Sequence, residues 1–367
     1  MNNLQDDNLM DETRRFVESF KQESIFFIFP SKITGGHEIM AVEIIKKIRS
    51  QVGLNTQKIV CYLPEDNVNL INKLNLNSIE FKLFKANGSK PEFLHALFNP
   101  FYLYRCAKVI REFPSKNKII LVQGDILQGV GFLVTGKLLT KKIISYIPYS
   151  HSFKKMGAKS ARLKDYFAGF FYTLCDQYIT ISKCFKQDIE LKNKKSKVSL
   201  LHNFVNEVAL SDRFIERKFN SNDVINIFII GRVQFHQKGH DILINALSGI
   251  TEYNIALHVV GDGPDLQKLK AKQDKLPENI SLICHGWVAE SWHVAKEFNI
   301  DLLVIPSLFE GVPLVMLEAK ERHVPIIAAG RDGMLDCLPA HSLYAVSGDE
   351  VTALRDKILY HIQNRLV

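Results

Sequence analysis

Short apolar segments rich in β-branched and aromatic residues alternate with longer segments of helical periodicity along almost the whole chain. This alternation predicts parallel β-sheets covered by helices on both faces. The helical periodicity is clearest in Glu38–Ser50, where the apolar residues at three-residue spacing are Ile39, Val42, Ile45 and Ile48. We therefore expect an α/β protein.

The strand-like segments form two series. The first series contains Ile25–Phe29, Lys58–Tyr62, Ile79–Leu83, Lys118–Val122, Lys142–Tyr146, Gln177–Thr180 and Lys197–Leu200. The second contains Ile225–Ile230, Ile255–Val260, Ile280–Cys284, Asp301–Ile305 and Pro325–Ala328, and its predicted helices are Gly239–Leu247, Pro264–Lys275, Ser291–Phe298, Leu314–Arg322 and Asp349–Asn364. A chain of 367 residues exceeds the roughly 250–300 residues at which one core stops growing, so each series is expected to form its own domain.

The boundary between these domains is expected in the polar, poorly periodic segment 204–223. Residues 1–203 carry 31 basic and 18 acidic side chains, a net charge of +13, whereas the remaining residues carry 16 and 21, a net charge of −5. We therefore predict Rossmann-like domains at 1–203 and 224–367 that are joined by 204–223. The basic domain could serve nucleic acid, an anionic membrane or a phosphorylated substrate, and charge alone does not separate these partners.

The cysteine pattern and the apolar segments predict a cytoplasmic protein. Six cysteines occur without any C-x-x-C pair, which indicates reduced thiols and no zinc site. The first fifteen residues lack the basic start and the apolar stretch of a signal peptide. The apolar segment Ile119–Leu139 contains polar residues and four glycines, so we expect no membrane-spanning helix.

A pair of glycines, Gly35 and Gly36, follows the first strand at the start of a helical segment. Glycines permit close backbone approach, and free amides at a helix start favour an anion such as phosphate. An ordinary tight turn, in which Glu38 stabilises the first helical turn, explains the same pattern. The residues alone leave both interpretations open.

Two basic residues flank the loop after the first strand of the second series. Arg232 follows Gly231, and Lys238 precedes Gly239 at the start of the next helix. A guanidinium and an ammonium six residues apart can hold a diphosphate from two sides, and arginine provides the forked contact. The alternative is a solvated basic loop.

The most informative segment is PSLFEGVPLVMLEA, residues 306–319. It follows a predicted strand, so Glu310 is expected on the loop beyond that strand and Glu318 about one turn into the next helix. Two carboxylates would then face one ligand, and the intervening helix-start amides would bind an anion. Each glutamate alone is also explained as an ordinary residue near a helix start, but this alternative fits the whole segment less well.

With these motifs in this order, the sequence resembles the retaining glycosyltransferases of family four, the glycogen-synthase-like group also called glycosyl transferases group 1. The resemblance extends from Ile25 to about Leu354. Its most specific element is FEGVPLVMLEA, which contains Glu310 and Glu318, and its supporting elements are GRVQFHQKGHDILINAL, VVGDGP and the HGW strand end at 285–287. It implies the GT-B fold, in which two Rossmann-like doubly wound domains face a central cleft.

The resemblance also implies roles for residues of the second domain. Arg232 and Lys238 match the basic pair that holds the donor diphosphate. Glu318 matches the glutamate that accepts hydrogen bonds from the nucleotide ribose, and Glu310 matches the one beside the transferred sugar. Further contacts to the sugar and phosphate are implied for Gly311, Val312, Pro313, Leu314 and Val315.

Other implied contacts come from both domains. Trp287 and Val288 lie where the family holds the base, and Gly35 and Gly36 match the glycine loop that approaches the diphosphate. His151, in the segment IPYSH after a strand of the first domain, matches the family's active-site histidine near the sugar. The residues implied as catalytic are His151, Glu310, Arg232 and Lys238.

The implied reaction is the transfer of a sugar, with retention, from a nucleotide-sugar to a glycan or lipid-linked acceptor, and UDP is the expected nucleotide. Arg232, Lys238 and helix-start amides would stabilise the charge that develops on the leaving diphosphate. No D-x-D triplet occurs in the sequence, so we expect a metal-independent reaction with no metal site and no bound cofactor.

The acceptor is expected to bind the basic first domain, where HSFKK at 151–155 continues into Lys159, Arg162, Lys164 and the aromatic segment Tyr166–Tyr172. Such a patch could contact anionic lipid headgroups or a phosphorylated, lipid-linked glycan, with a solvated lysine face as the alternative. We therefore expect a role in lipopolysaccharide or other surface-polysaccharide synthesis, in the cytoplasm or at the inner face of the cytoplasmic membrane. Nucleic acid is not an expected partner, because no reader motif is present.

Other function classes stay open beside this one. Another GT-B enzyme, such as a nucleotide-sugar epimerase or a phosphorylase, would need no separate acceptor or would use phosphate. A non-catalytic partner subunit would keep the nucleotide pocket, although the complete set of implied catalytic residues argues against it. An NAD-dependent oxidoreductase is disfavoured, because no G-x-G-x-x-G follows the first strand.

Overall fold

The computed structural model describes residues 24–52, 58–85, 91–114, 117–220 and 222–366. The chain divides into two compact units, Met1–Asn203 and Phe204–Val367. Each unit contains one parallel sheet whose strands are connected mainly through helices. The prediction of two parallel α/β sheets is therefore confirmed.

The first unit contains a seven-stranded sheet. Its strands are β1 (Ile25–Ile28), β2 (Ile59–Pro64), β3 (Glu80–Phe84), β4 (Lys118–Val122), β5 (Ile143–Tyr146), β6 (Gln177–Thr180) and β7 (Lys197–Leu200). They lie in the order β3-β2-β1-β4-β5-β6-β7, and all neighbouring strands are parallel. The central strand β1 is buried along its whole length, which explains its uninterrupted apolar sequence.

Seven helices connect or flank these strands in the described part of the first unit. They are α1 (Gly36–Val52), α2 (Val68–Leu76), α3 (Glu92–Phe98), α4 (Pro100–Arg111), α5 (Val130–Leu138), α6 (Ala161–Tyr172) and α7 (Lys183–Lys192). The helices α4 and α5 approach closely, because Gly131 leaves space for the ring of Tyr102.

The second unit contains a six-stranded sheet. Its strands are β8 (Val224–Ile230), β9 (Asn254–Val260), β10 (Ile280–Gly286), β11 (Leu302–Ile305), β12 (Ile326–Ala329) and β13 (Leu343–Tyr344). The order is β10-β9-β8-β11-β12-β13, again with parallel neighbours. Most predicted strand boundaries agree with the structure to within two residues, but the two-residue strand β13 was too short to be predicted.

The helices of the second unit are α8 (Phe235–Lys238), α9 (His240–Leu247), α10 (Leu266–Lys270), α11 (Ser291–Glu297), α12 (Leu314–Glu321), α13 (Met334–Cys337) and α14 (Glu350–Gln363). The single helix predicted at Pro264–Lys275 is wrong. The segment instead forms α10 and a separate 3₁₀ turn at Gln273–Lys275. In α10 Leu269 is the buried residue, so the polar segment after it has no apolar face that would hold it in one continuous helix.

The segment 204–223, expected to connect the domains, packs as part of the second unit. Phe219 is fully buried, and its backbone pairs with Leu366 near the end of the chain. The guanidinium of Arg217 binds the buried carboxylate of Asp301, with an Nε–Oδ1 distance of 2.6 Å. These contacts explain why 204–223 is grouped with the second sheet.

Two further findings concern the cysteines and the membrane. All six cysteines have free thiols. Among the helices of the described residues, none combines the length and the apolar composition that crossing a bilayer requires.

Candidate functional site

The central strands of the second sheet place most of the predicted site residues. From β8 the sheet continues to β9 and β10 on one side, whereas β11, β12 and β13 lie on the other. Ligands of open α/β sheets bind at the carboxyl ends of the strands where the order reverses in this way. Arg232 follows β8 and Glu310 follows β11, so both residues lie at this switch point.

Close packing joins the loops that follow β8 and β11. Gly239 has a φ of +66°, and a Cβ at this position would collide with the carbonyl oxygen of Pro306. The amide of Leu308 donates a hydrogen bond to the carbonyl of Gln237 at 2.8 Å. Glycine at 239 therefore allows the turn between α8 and α9 to contact the loop that carries Glu310.

Lys238 and Glu310 form an ion pair across these two loops. The Glu310 side chain is buried, and the Ser307 hydroxyl lies 3.4 Å from the same carboxylate oxygen. The backbone amide of Glu310 donates to the carboxylate of Asp332 at 3.0 Å. A buried carboxylate requires such a partner because its desolvation is costly, and the ammonium of Lys238 is that partner.

Arg232 is the second predicted phosphate-binding cation. Its side chain is exposed, and within the described residues it makes no hydrogen bond and no ion pair. The next residue, Val233, is fully buried and donates from its amide to the carbonyl of Asp262 at 3.0 Å. The loop is therefore anchored, while the guanidinium is available for a ligand.

The segment Gly311–Val315 leads into α12, which begins at Leu314 with Pro313 as its N-cap. In the described part of the chain, the amides of Leu314 and Val315 donate no hydrogen bond. They are thus free donors at the positive end of a helix, as an anion site requires. Pro313 has no N–H, so its predicted contribution is limited to shape and to starting the helix.

Glu318 lies in the second turn of α12, where its carboxylate accepts a hydrogen bond from the indole Nε1 of Trp292 at 2.9 Å. The Arg322 guanidinium covers the Trp292 ring at 4.7 Å from the ring centre. No motif in the sequence marks Trp292 as this partner, because it lies 26 residues away on α11. The bond orients one oxygen of Glu318 before any ligand binds.

The predicted base-binding residues follow β10, whose last residue is Gly286. Trp287 is 76% exposed, and Val288 is partly buried. An exposed indole at the carboxyl edge of the sheet offers a face for stacking.

His240 lies two residues after Lys238, at the start of α9. It is buried, and neither ring nitrogen has a hydrogen-bond partner among the described residues. Burial, together with the nearby charge of Lys238, lowers the pKa of His240 to about 4. The imidazole is therefore neutral near pH 7 and adds no positive charge to the site.

In the first unit, α1 begins at Gly36, directly after Gly35. The amide of Gly35 donates to the carboxylate of the fully buried Glu38 at 2.7 Å, and His37 lies 2.7 Å from the other carboxylate oxygen. Glu38 thus stabilises the helix start, in agreement with the interpretation of this segment as an ordinary tight turn. The space around Gly36 is open, because a Cβ there would contact nothing within 4 Å.

His151 follows β5 and is partly buried. Its ring contacts Phe185 edge-on at 4.9 Å between ring centres, and its Nδ1 lies 3.3 Å from the ammonium of Lys155. The contact with Phe185 fixes the position of the imidazole, and the adjacent lysine makes its surroundings positive.

The predicted site residues thus form two sets, one in each unit. The first set contains Gly35, Gly36 and His151. The second contains Arg232, Lys238, Trp287, Val288, Glu310, Gly311, Val312, Pro313, Leu314, Val315 and Glu318. Among the described residues, no three His, Cys, Asp or Glu side chains are grouped so that they could hold a metal ion.

Residues 225–364 match the family model described as glycosyl transferases group 1. A lipopolysaccharide 1,6-galactosyltransferase of Escherichia coli strain K12 is 27% identical over 163 residues, which cover 43% of this chain and 44% of the relative. The alignment therefore spans less than half the length of this curated relative.

Two solved structures share the fold of almost the whole chain. The apo form of the lipopolysaccharide outer core galactosyltransferase WaaB has a TM-score of 0.70 and 22% identity, and the match covers 92% of this chain and 91% of WaaB. WaaG, a glycosyltransferase involved in lipopolysaccharide biosynthesis, has a TM-score of 0.59 and 14% identity over 93% of this chain and 94% of WaaG. The chain therefore has the GT-B fold, and its second unit is similar to the glycosyl transferases group 1 family.

Proposed function

We propose that this protein is a glycosyltransferase that moves a sugar from a nucleotide-sugar to a glycan or lipid-linked acceptor in the synthesis of lipopolysaccharide or another surface polysaccharide. The observation that carries the proposal is the Lys238–Glu310 ion pair at the switch point of the second sheet. It places a cation and a carboxylate where a sugar phosphate would need both. The similarity to the lipopolysaccharide 1,6-galactosyltransferase of Escherichia coli supports the choice of reaction.

In the proposed reaction, the donor diphosphate binds between Arg232, Lys238 and the free amides of Leu314 and Val315. These groups stabilise the charge that develops on the phosphate as the bond to the sugar breaks. When phosphate draws Lys238 towards itself, the carboxylate of Glu310 becomes available to accept hydrogen bonds from the sugar hydroxyls. Glu310 therefore positions the sugar.

The nucleoside occupies the neighbouring part of the same unit. Glu318, oriented by Trp292, accepts hydrogen bonds from the ribose hydroxyls, and Trp287 with Val288 contacts the base. We propose UDP as the nucleotide and retention as the stereochemical outcome, on the basis of the family resemblance. We also propose metal independence, which rests on the lack of a D-x-D triplet in the sequence.

In the first unit, Gly35 and Gly36 are proposed to approach the diphosphate. His151 is proposed to lie near the transferred sugar. The acceptor is proposed to bind this unit as well. The charge of this half of the chain, +13 over residues 1–203, supports an anionic or membrane-linked acceptor.

We further propose a cytoplasmic location with peripheral contact to an anionic membrane. The surface of α6 supports this contact, because Tyr166 and Phe170 are exposed beside the cation of Arg162. Co-sedimentation with phosphatidylglycerol vesicles, compared with phosphatidylcholine vesicles, tests it. Binding to the anionic vesicles that is lost in Tyr166→Ser/Phe170→Ser supports the contact, and equal absence of binding to both vesicles refutes it.

The reaction is tested with a panel of UDP-, GDP- and ADP-sugars in the presence of EDTA and without acceptor. We expect thermal stabilisation and slow nucleotide release with one donor, and we expect both to be lost in Lys238→Ala and Glu318→Ala. The matched controls are Lys270→Ala and Glu321→Ala, which change the same residue types on α10 and later in α12.

The panel also separates the alternative functions. An isomerised nucleotide-sugar, or turnover that requires inorganic phosphate, would indicate another GT-B enzyme. Absence of binding and release across the whole panel would contradict the proposal and favour a non-catalytic partner subunit. A requirement for added divalent metal would refute metal independence but leave sugar transfer in place.

A further inference from the structure

The first unit contains a cavity of about 800 Å³ whose lining includes Phe153 and Lys164 of the predicted acceptor patch but none of the predicted catalytic or donor-binding residues. It lies between α4, α5 and the loops that follow β1, β3, β4 and β5. Its volume falls within the roughly 300–1,000 Å³ of pockets that hold small organic ligands. We propose that this cavity binds the acceptor as an amphiphile, with an apolar group inside and a phosphate group at the mouth. This inference rests on the proposed function.

The interior of the cavity is apolar. The buried side chains that line it include Phe93, Val109, Leu127, Phe132 and Phe153. These side chains offer no hydrogen bond to a ligand, so the interior favours a hydrocarbon group over a hydrated sugar.

The tyrosines of the lining do not change this character, because protein groups already bind their hydroxyls. The Tyr102 hydroxyl donates to Glu92, whose carboxylate also accepts from the amide of Gly129 at 3.1 Å. The Tyr62 hydroxyl donates to Glu112 at 3.0 Å. The two tyrosines therefore contribute mainly their aromatic rings to the lining.

Asp125 and Gln128 are further polar side chains of the lining, and both are partly buried. The carboxyl of Asp125 accepts from the amide of Leu127 at 2.8 Å, and burial raises the pKa of this carboxyl. Asp125 provides a hydrogen-bonding group for a hydroxyl or a protonated phosphate oxygen near the base of the headgroup.

The mouth of the cavity is cationic. Among the described residues, four lining cations form no ion pair: Lys85, Arg105, Lys108 and Lys164. Two others are already neutralised, since Lys32 pairs with Asp66 at 2.6 Å and Lys82 with Glu112 at 2.8 Å.

This distribution of charge indicates a phosphate at the mouth. Arg105 and Lys108 lie three residues apart on α4, so their side chains share one face of that helix. An exposed pair of cations beside an apolar interior attracts an anion without the cost of burying it. A neutral amphiphile would fill the interior but would provide no anionic partner for these cations.

The test measures direct binding by isothermal titration calorimetry, with each ligand below its critical micelle concentration. Decyl phosphate carries both features, decyl glucoside carries the chain without the charge, and glucose 6-phosphate carries the charge without the chain. We expect decyl phosphate to bind at least about tenfold more tightly than either of the others. Decyl glucoside lacks the charge-assisted contact, which contributes about 1.5 kcal/mol or more, and glucose 6-phosphate lacks the apolar chain that the interior would bury.

Surface variants test the mouth without disturbing the core. Arg105→Ala/Lys108→Ala should weaken decyl phosphate by about tenfold and leave decyl glucoside unchanged. The matched control Arg111→Ala/Lys195→Ala removes two exposed cations of the same unit that do not line the cavity, and it should bind decyl phosphate like the parent chain. Equal weakening in both double variants would overturn a specific phosphate site.

Val109→Trp tests the interior, because the larger side chain fills part of the cavity. It should weaken both decyl ligands while circular dichroism and the melting temperature remain close to those of the parent. If Val109→Trp is unfolded, Cys106→Leu provides a smaller addition at another lining position. If a folded Val109→Trp or Cys106→Leu protein bound both decyl ligands as tightly as the parent, the cavity would not be the binding site.

The panel of nucleotide-sugars is measured on the same protein preparations. A failure of the proposed amphiphile site can therefore be distinguished from a failure of the proposed sugar transfer. Binding of a nucleotide-sugar without binding of decyl phosphate overturns the amphiphile site and leaves the proposed transfer in place. Binding of decyl phosphate without any nucleotide-sugar supports the site but contradicts the transferase. Glucose 6-phosphate binding as tightly as decyl phosphate would overturn the apolar part of the inference.

Discussion

The ammonium group of Lys238 forms an ion pair with the buried carboxylate of Glu310, although the two residues are 72 positions apart and follow different strands. Each charge neutralises the other while the site is empty. A donor phosphate must therefore compete with Glu310 for Lys238. This competition makes the effect of removing either charge predictable.

Glu310→Gln should increase the affinity for free UDP while decreasing nucleotide release from the donor sugar. The substitution removes a negative charge near the phosphates and frees Lys238, and one such charge-assisted contact corresponds to about a tenfold change in affinity. Calorimetry with UDP and a nucleotide-release assay measure the two effects. The control is Glu321→Gln, and weaker UDP binding in Glu310→Gln would contradict this role of the ion pair.

Trp292→Phe should weaken UDP binding by about fivefold, because it removes the hydrogen bond to Glu318 while it keeps an aromatic ring beneath Arg322. Pyrophosphate affinity should not change, because Glu318 is proposed to bind the ribose. Calorimetry with both ligands makes the comparison. The effect on UDP should disappear in a Glu318→Ala background, and an equal loss in that background would refute positioning through Glu318.

Gly239→Ala and Gly286→Ala compare two glycines with nearly equal φ angles. Their φ angles are +66° and +70°, but a Cβ would meet the Pro306 carbonyl only at Gly239 and would find open space at Gly286. We expect Gly286→Ala to cost about 1 kcal/mol from the left-handed backbone alone, and Gly239→Ala to cost about 2 kcal/mol more. Urea unfolding measures both, and equal losses would show that the loops do not depend on this close packing.

The stability of the protein should decrease as the pH falls from about 6.5 to about 4. The pKa of His240 is lowered by burial from 6.5 to about 4, so over this range the unfolded chain binds a proton that the folded protein excludes. His240→Leu should therefore be more stable than the parent near pH 5, by up to about 2 kcal/mol. Urea unfolding at pH 5 and pH 7 measures the difference.

The exposed His293→Leu is the control for His240→Leu and should keep the pH dependence of the parent chain. Part of the dependence should remain in His240→Leu as well, because burial also lowers the pKa of His258 and His361 to about 4. A His240→Leu protein with the same stability difference between pH 5 and pH 7 as the parent would contradict the buried neutral state of His240.

The sequence by itself determined the order of the strands along the chain and most of their boundaries. Strands of a parallel sheet are buried on both faces, so a segment such as Ile25–Ile28 is apolar at every position and can be recognised locally. The start of α12 could also be predicted from the local sequence. Pro313 immediately precedes the helix, and proline is favoured at helix starts. These signals also placed Glu310 and Glu318 after β11.

Only the tertiary structure decided how the side chains of the site are paired. Lys238 meets Glu310, and Trp292 meets Glu318, through packing between segments that are 72 and 26 residues apart. No local pattern encodes such contacts, because they depend on which strands become neighbours and how closely their loops approach. The cavity of the first unit has the same origin, since its lining comes from several loops and helices whose residues fit ordinary core and surface patterns when they are considered one at a time.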